Sequence, residues 1–249
     1  MRIAVLDDYQ GHALTLADWG DLAPVVTVFT EPIPEAERAG HLAPFDVVCL
    51  MRERTPFPAS LIEALPNLRL IVTTGRRNAS IDVAAAAARG IPVCGTDSRG
   101  PATSHLTFTL ILAAMRNLVP NVAALASGGW QAAAGRDLDG LTLGLVGLGR
   151  LGAAVAGLAR PFGMEIVAWS QNLTDERCRE VGVERAESLG ALMAASDVVS
   201  LHLVLSQRTR GLIDAKALSA MKPDALLVNT SRGPLVDAGA LLDGLRRGR

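Results

Sequence analysis

Short runs of β-branched and aliphatic residues alternate along this chain with longer helix-like stretches. In the first hundred residues the pattern predicts strands near Ile3–Leu6, Val25–Phe29, Val47–Leu50, Leu70–Thr73 and Pro92–Cys94. Helix-like stretches such as Ala59–Leu65 and Val83–Arg89 lie between them; Ser80-Ile-Asp82 can start the second, and Gly90 can end it. Such alternation implies an α/β fold, with parallel strands joined by right-handed crossovers.

The pattern changes at Gly100-Pro101. A long apolar stretch follows from Thr103 to Leu118, which as one helix would span roughly 24 Å, with Pro120 expected to end it. Ser127–Gly140 is polar and Gly-rich and reads as a loop or arm. A second series of strands is then predicted at Leu141–Val146, Glu165–Trp169, Val198–Leu201 and Leu226–Asn229. The expected domains are therefore 1–99 and 100–249. There is no repeat of fixed short period, and the Ala84–Ala88 run is simply good helix sequence.

Composition narrows the function classes. The 249 residues are 49% hydrophobic and 20% charged, which excludes disorder as the main state. The 24 Lys and Arg against 25 Asp and Glu leave a net charge of -1, and aromatics are only 4%, so nothing favours nucleic acid as a partner. Cys49, Cys94 and Cys178 are too few and too scattered for a disulfide framework or a metal site; Cys49 and Cys94 sit in apolar runs and are expected to be buried thiols. A reducing, cytoplasmic setting is the expectation. The N-terminal apolar run is soon broken by Asp7 and Asp8, so it reads as a first strand and not as a signal peptide or membrane span.

Leu143-Gly-Leu-Val-Gly147-Leu-Gly149-Arg-Leu-Gly152 is a predicted strand running into Gly-x-Gly-x-x-Gly and then a helix-like stretch. In that context Gly147 allows the tight turn, Gly149 lets a pyrophosphate approach the backbone, and Gly152 lets the helix pack on the strand. The helix start presents free N–H groups to phosphate. At the end of the next strand, where an NAD-specific site carries Asp or Glu, this chain has Ser170, followed by Gln171 and Asn172. No Arg is adjacent, Arg177 being the nearest downstream, so NAD and NADP both stay open.

Three further stretches, Thr73-Thr-Gly-Arg-Arg-Asn-Ala-Ser-Ile-Asp82, Ser200–Ile213 and Asn229-Thr-Ser-Arg232-Gly-Pro-Leu-Val-Asp237, combine with the glycine turn. Their joint spacing resembles the D-isomer-specific 2-hydroxyacid dehydrogenase family over essentially the whole chain. The resemblance implies a flavodoxin-like substrate domain joined to a Rossmann dinucleotide domain, with the active site in the cleft between. It also implies NAD- or NADP-dependent interconversion of a D-2-hydroxy acid and its 2-oxo acid, and an Arg, a Glu and a His that carry the chemistry.

By the same resemblance the Arg is Arg232, whose planar fork suits a carboxylate. Thr74, Gly75 and Arg76 match the loop whose amides face the substrate carboxylate, and Arg52 follows a strand end and is a further substrate candidate. Cofactor contacts fall on Thr103, Gly147, Gly149, Arg150, Leu151, Gly152, Ser170, Leu203, Thr209, Thr230, Ser231 and Arg232. His105 reads as a helix-face residue and His202 as part of the adenine-side wall, while His12 and His41 carry no argument. The implied partner is a second copy of the chain, paired through residues 103–140, and the implied substrate is a small 2-oxo or 2-hydroxy acid.

The family's Glu and His have no counterpart among the residues given, and loss of a proton-transfer group costs about 10²–10⁴-fold in rate. Only four strands are countable after residue 100, where the six-stranded order needs more. Leu226–Asn229 would then be an apolar edge, and Arg246-Arg-Gly-Arg249 reads as a mid-protein loop. The expectation is a C-terminally incomplete chain. The alternative is a non-catalytic dinucleotide-binding or interaction protein of the same fold.

Overall fold

The computed structural model describes residues 1–97 and 100–248; Arg99 and Arg249, the ends of the two expected domains, lie outside the described residues. The chain divides into two compact units, Met1–Gly100 and Pro101–Arg249.

The first unit holds strands β1 (Ile3–Val5), β2 (Val26–Val28), β3 (Val47–Leu50), β4 (Leu70–Thr73) and β5 (Val93–Gly95), with helices α1 (Glu35–Leu42), α2 (Ala59–Ala64) and α3 (Val83–Ala88) between them. All strand pairs are parallel, in the order β2-β1-β3-β4-β5, the flavodoxin-like arrangement. Ile71, Val48 and Leu50 of the sheet bury against Leu42, Ile62 and Ala86 of the helices. Asp82 caps α3 by accepting from the Ala85 amide at 2.9 Å, as the Ser80–Asp82 step predicted. Cys94 is exposed, contrary to expectation, because β5 is an edge strand; Cys49 is half-buried, and burial pushes its thiol up to about 11.

The second unit begins with α4 (Ala102–Met115) and α5 (Leu118–Ala126). The single helix expected over Thr103–Leu118 is therefore corrected. Asn117 takes a left-handed conformation at φ 50°, and the two helices meet at a 64° bend. Pro120 does not end a helix but sits in the first turn of α5, where its missing N–H has no intrahelical partner to lose. Asn121 then holds the arm 127–140 along α5, its Oδ1 accepting from the Ala132 amide at 2.9 Å.

The sheet of this unit comprises β6 (Thr142–Val146), β7 (Glu165–Trp169), β8 (Glu184–Arg185), β9 (Val198–Leu201) and β10 (Leu226–Asn229), alternating with α6 (Arg150–Ala159), α7 (Asp175–Val181), α8 (Leu189–Ala195), α9 (Ala215–Ala220) and α10 (Ala238–Arg246). The strands are parallel in the order β8-β7-β6-β9-β10, which is the 3-2-1-4-5 part of the Rossmann order. The count of four strands is corrected to five. β8 is only two exposed, charged residues, so it carries no hydrophobic run to read. Arg246 lies in α10 and not in a loop.

Both faces of this sheet are covered, which is why its central strands read as continuous apolar runs. Phe108 and Ile111 of α4 and Val155 and Ala156 of α6 pack on one side. Leu192 and Met193 of α8 and Ala217 of α9 pack on the other. β10 is the sheet's edge, and an apolar groove of about 520 Å³ runs beside it between α9 and α10.

Candidate nucleotide site and strand-end loops

The glycine turn sits where β6 delivers the chain to α6. Gly147 has φ 107°, a conformation that disfavours any side chain, and its amide donates to the Trp169 carbonyl at 2.8 Å. A Cβ on Gly147 would stand 2.7 Å from the His202 carbonyl, and one on Gly152 would collide with the Gly147 carbonyl. Both glycines therefore serve close packing within the turn. Gly149 differs: it has ordinary negative φ, and a Cβ there would meet nothing within 4 Å. Its missing side chain keeps open a face of the backbone that the protein itself does not fill. The turn thus has the shape and the free helix N–H groups that a dinucleotide pyrophosphate requires, and the first turn of α6 holds no acidic residue to repel it.

A cavity of about 300 Å³ adjoins this turn. Of the expected cofactor residues, Gly147, Gly149, Ser170 and Leu203 line it, together with His202, which was read as a wall residue. The cavity lies outside the carboxyl ends of β6, β7 and β9, beside the point where the strand order reverses. Asn172 and Arg177, named in the sequence only in weighing NAD against NADP and not as site residues, lie in its wall, as does Thr174, which sequence reasoning missed. Arg177 is carried there by α7 and donates from Nε to the Leu148 carbonyl at 3.1 Å. His202 Nε2 lies 2.9 Å from Ser200 Oγ, while its Nδ1 is buried with no hydrogen-bond partner among the described residues. Burial pushes the His202 imidazole down to about 4, so it is neutral at physiological pH.

The remaining expected cofactor residues are placed on the frame of the site. Arg150 and Leu151 open α6 directly after Gly149. Thr209 stitches its own loop, donating to the Val204 carbonyl at 2.7 Å and accepting from the Ser206 amide at 2.8 Å. Thr103 lies in the first turn of α4, its carbonyl accepting from Thr107 Oγ1 at 2.8 Å. Thr107 is fully buried and also bonds Thr230 Oγ1 at 2.7 Å, a junction that sequence reasoning did not find.

Arg232 follows β10 on a loop fixed at several points. Asn229 accepts from the Ser231 amide and donates to the Arg232 carbonyl, both at 3.0 Å. Ser231 Oγ donates to the Leu201 carbonyl at 2.8 Å, which ties the loop to the end of β9. The half-buried Arg232 donates from Nη1 to the Ser231 carbonyl at 3.0 Å. This places a guanidinium at the carboxyl edge of the same sheet as the glycine turn.

In the first unit, the loop after β4 packs on the loop after β3. The Arg52 amide donates to Thr74 Oγ1 at 3.1 Å, and a Cβ on Gly75 (φ 90°) would collide with the Arg52 guanidinium. Two of the amides expected to face a carboxylate are committed inside the fold. Thr74 N–H donates to the Leu50 carbonyl at 3.0 Å and Gly75 N–H to Thr96 Oγ1 at 2.8 Å. The Arg76 side chain pairs with Asp97 at 2.8 Å on the surface. A second cluster escaped the sequence reading: buried Asp7, with φ 59°, accepts from Thr55 Oγ1 at 2.8 Å, and Arg54 donates to its carbonyl at 2.7 Å while stacking on Tyr9. No group of three or more His, Cys, Asp or Glu placed to hold a metal ion occurs among the described residues.

Residues 108–249 match the family model described as D-isomer specific 2-hydroxyacid dehydrogenase, NAD binding domain. The glyoxylate reductase of Thermococcus litoralis is 38% identical over 198 residues, 76% of this chain and 60% of that protein. The D-3-phosphoglycerate dehydrogenase of Methanocaldococcus jannaschii is 35% identical over 81% of this chain and 39% of that protein. The chain thus spans less than two thirds of the length of these relatives. Among solved structures, the phosphoglycerate oxidoreductase of Vibrio cholerae superposes with a TM-score of 0.94 at 39% identity, over 100% of this chain and 81% of that one. The glycine cradle, the parallel 3-2-1-4-5 sheet and these matches agree: the chain belongs to the D-isomer-specific 2-hydroxyacid dehydrogenase family and carries its NAD(P)-binding domain.

Proposed function

We propose that this chain takes part in the reversible reaction D-2-hydroxy acid plus oxidised dinucleotide to 2-oxo acid, reduced dinucleotide and a proton. The observation that carries the reading is the cradle at Gly149: an open backbone face at an acid-free helix start, beside a cavity at the switch point of the sheet. In this reading residues 100–249 bind the dinucleotide and supply Arg232, and residues 1–99 form the substrate-binding domain.

The bound dinucleotide supplies or accepts the hydride. The chain's own residues do the rest of the work assigned here. Gly147, Gly149 and Gly152 shape the pyrophosphate seat, and the amides of Arg150 and Leu151 face it. Ser170 and Leu203 border the adenosine end; Thr209, Thr230 and Ser231 hold the surrounding loops, and Thr103 stands on the nicotinamide side. Arg232 grips the carboxylate and carbonyl of the acid with a planar fork. In the first unit, the Arg52 guanidinium over Gly75 and the Arg76 amide supply a cationic, donor-rich seat for an acid group.

A second reading, dinucleotide binding without turnover, has one observation in its favour. His202, which lines the cavity, is neutral, and its Nδ1 has no carboxylate or other partner among the described residues. The two readings separate in one assay of the chain with NADH or NADPH and glyoxylate, and with NAD or NADP and 3-phosphoglycerate. Cofactor-dependent turnover of the D-isomer supports the first. Saturable dinucleotide binding without turnover supports the second, and absence of binding overturns both.

The chain is proposed to act as a homodimer through residues 103–140. Leu106, Leu110, Leu118, Val119, Val122, Leu125 and Trp130 in that segment are exposed, Trp130 at 79%. An apolar set of that size is normally covered. A cytoplasmic location is proposed from the three free thiols. Among the described residues no single helix is long and apolar enough to cross a membrane.

A further inference from the structure

We propose that Arg177, with Ser170, Asn172 and Thr174, forms a seat for the 2′-phosphate of an adenosine, so that this chain prefers NADP over NAD. The inference rests on the dinucleotide reading above and deepens it.

The first argument is position. Ser170 directly follows β7, the place from which a carboxylate holds the ribose diol in NAD-specific sites and repels a 2′-phosphate. Ser170 has no charge, and neither do Asn172 and Thr174, which share the cavity wall with it. α7 then returns Arg177 to the same wall, seven residues further along the chain.

The second argument is charge. Arg177 is the one Arg, Lys, Asp or Glu among the described residues that line this cavity. The acids nearby face elsewhere or are weakly held. Asp175 pairs with Arg185 at 2.8 Å and Glu176 with Arg179 at 3.2 Å. Glu180 lies 3.0 Å from Arg177 Nη1, but that pair is 39% and 65% exposed, so it is screened and readily exchanged for a dianion.

The third argument is orientation. The Nε bond to the Leu148 carbonyl fixes the guanidinium against the glycine turn, and Nη2 makes no hydrogen bond among the described residues. A fixed planar cation with a donor to spare, flanked by hydroxyl and amide groups, is chemistry suited to a phosphate monoester.

The test is calorimetric titration of the chain with adenosine 2′,5′-bisphosphate and with adenosine 5′-monophosphate. The bisphosphate is expected to bind about 10- to 100-fold more tightly, as one charge-assisted contact allows. Arg177→Gln should remove that difference, the bisphosphate losing far more affinity than the 5′-monophosphate, and Arg177→Lys should restore part of it. Thermal melting of each variant checks the loss of the Leu148 bond separately. Equal affinities in the parent chain, or a preference that survives Arg177→Gln, overturn the proposal while the dinucleotide reading stands. If neither nucleotide binds, the dinucleotide reading falls and the proposal falls with it.

Discussion

Arg177 donates from Nε to the carbonyl of Leu148 across 3.1 Å, joining the helix after β7 to the glycine turn after β6. Twenty-nine positions separate the two residues, and the bond closes one wall of the cavity beside the turn. The same parallel sheet that sets the glycines also sets the specificity-bearing wall, because each loop at its carboxyl edge is positioned by a neighbouring strand.

His202 makes stability depend on pH. Its imidazole ionises near 6.5 when unfolded and near 4 when folded, burial being the cause. The unfolded chain therefore binds the extra proton first, and the stabilisation present above about pH 6.5 is lost as pH falls towards 4. The loss approaches about 3 kcal/mol at most. Urea unfolding at pH 7.5 and at pH 5 should show it, and His202→Gln should flatten the difference. An unchanged pH slope in that variant would place the effect elsewhere.

Thr107 is the buried pin between α4 and the loop that carries Arg232, through its 2.7 Å bond to Thr230. Thr107→Val keeps the shape and removes the hydroxyl. It should cost about 1–2 kcal/mol and lower the melting temperature by a few degrees, while Thr109→Val, at an exposed position on the same helix, should change little.

Arg232→Lys keeps the positive charge and loses the planar fork. Steady-state kinetics with a 2-oxo acid should show a raised KM and a lowered kcat together, kcat/KM falling about 10- to 100-fold. Kinetics like those of the parent would remove Arg232 from the substrate.

Leu110 and Val122 are 43% and 55% exposed on α4 and α5. If these helices carry a dimer contact, Leu110→Lys with Val122→Lys should yield a monomer by light scattering with unchanged helical circular dichroism. A parent chain that is already monomeric at tens of micromolar would contradict the contact.

Strong runs were legible in the sequence. β3, β4, β7, β9 and β10 have the bounds that their apolar residues predict; β9 is buried throughout, and the others keep at least one buried aliphatic residue each on the core side. The break at Asn117 was not legible. Arg116 and Asn117 interrupt the apolar run no more than a helix face tolerates, and only a positive φ at Asn117 turns one expected helix into two. β8 was invisible because two charged residues pair with β7 through backbone alone. The glycine cradle was readable as local geometry, whereas Arg177 and Thr107 reach the site through tertiary packing that no local spacing encodes. The Asp7–Thr55–Arg54 cluster was missed for the same reason, since it joins the ends of β1 and β3.

The open face at Gly149 is tested most directly by one comparison: NADH and NADPH titrated into the parent chain and into Gly149→Ala, with urea unfolding of both. The position has negative φ and no atom within 4 Å of a Cβ, so the substitution should leave stability within about 0.5 kcal/mol. Dinucleotide affinity should nonetheless fall at least about tenfold, since the methyl group enters the space kept for pyrophosphate. Unchanged affinity for both dinucleotides, with the variant folded, would contradict the assignment of that face to the cofactor.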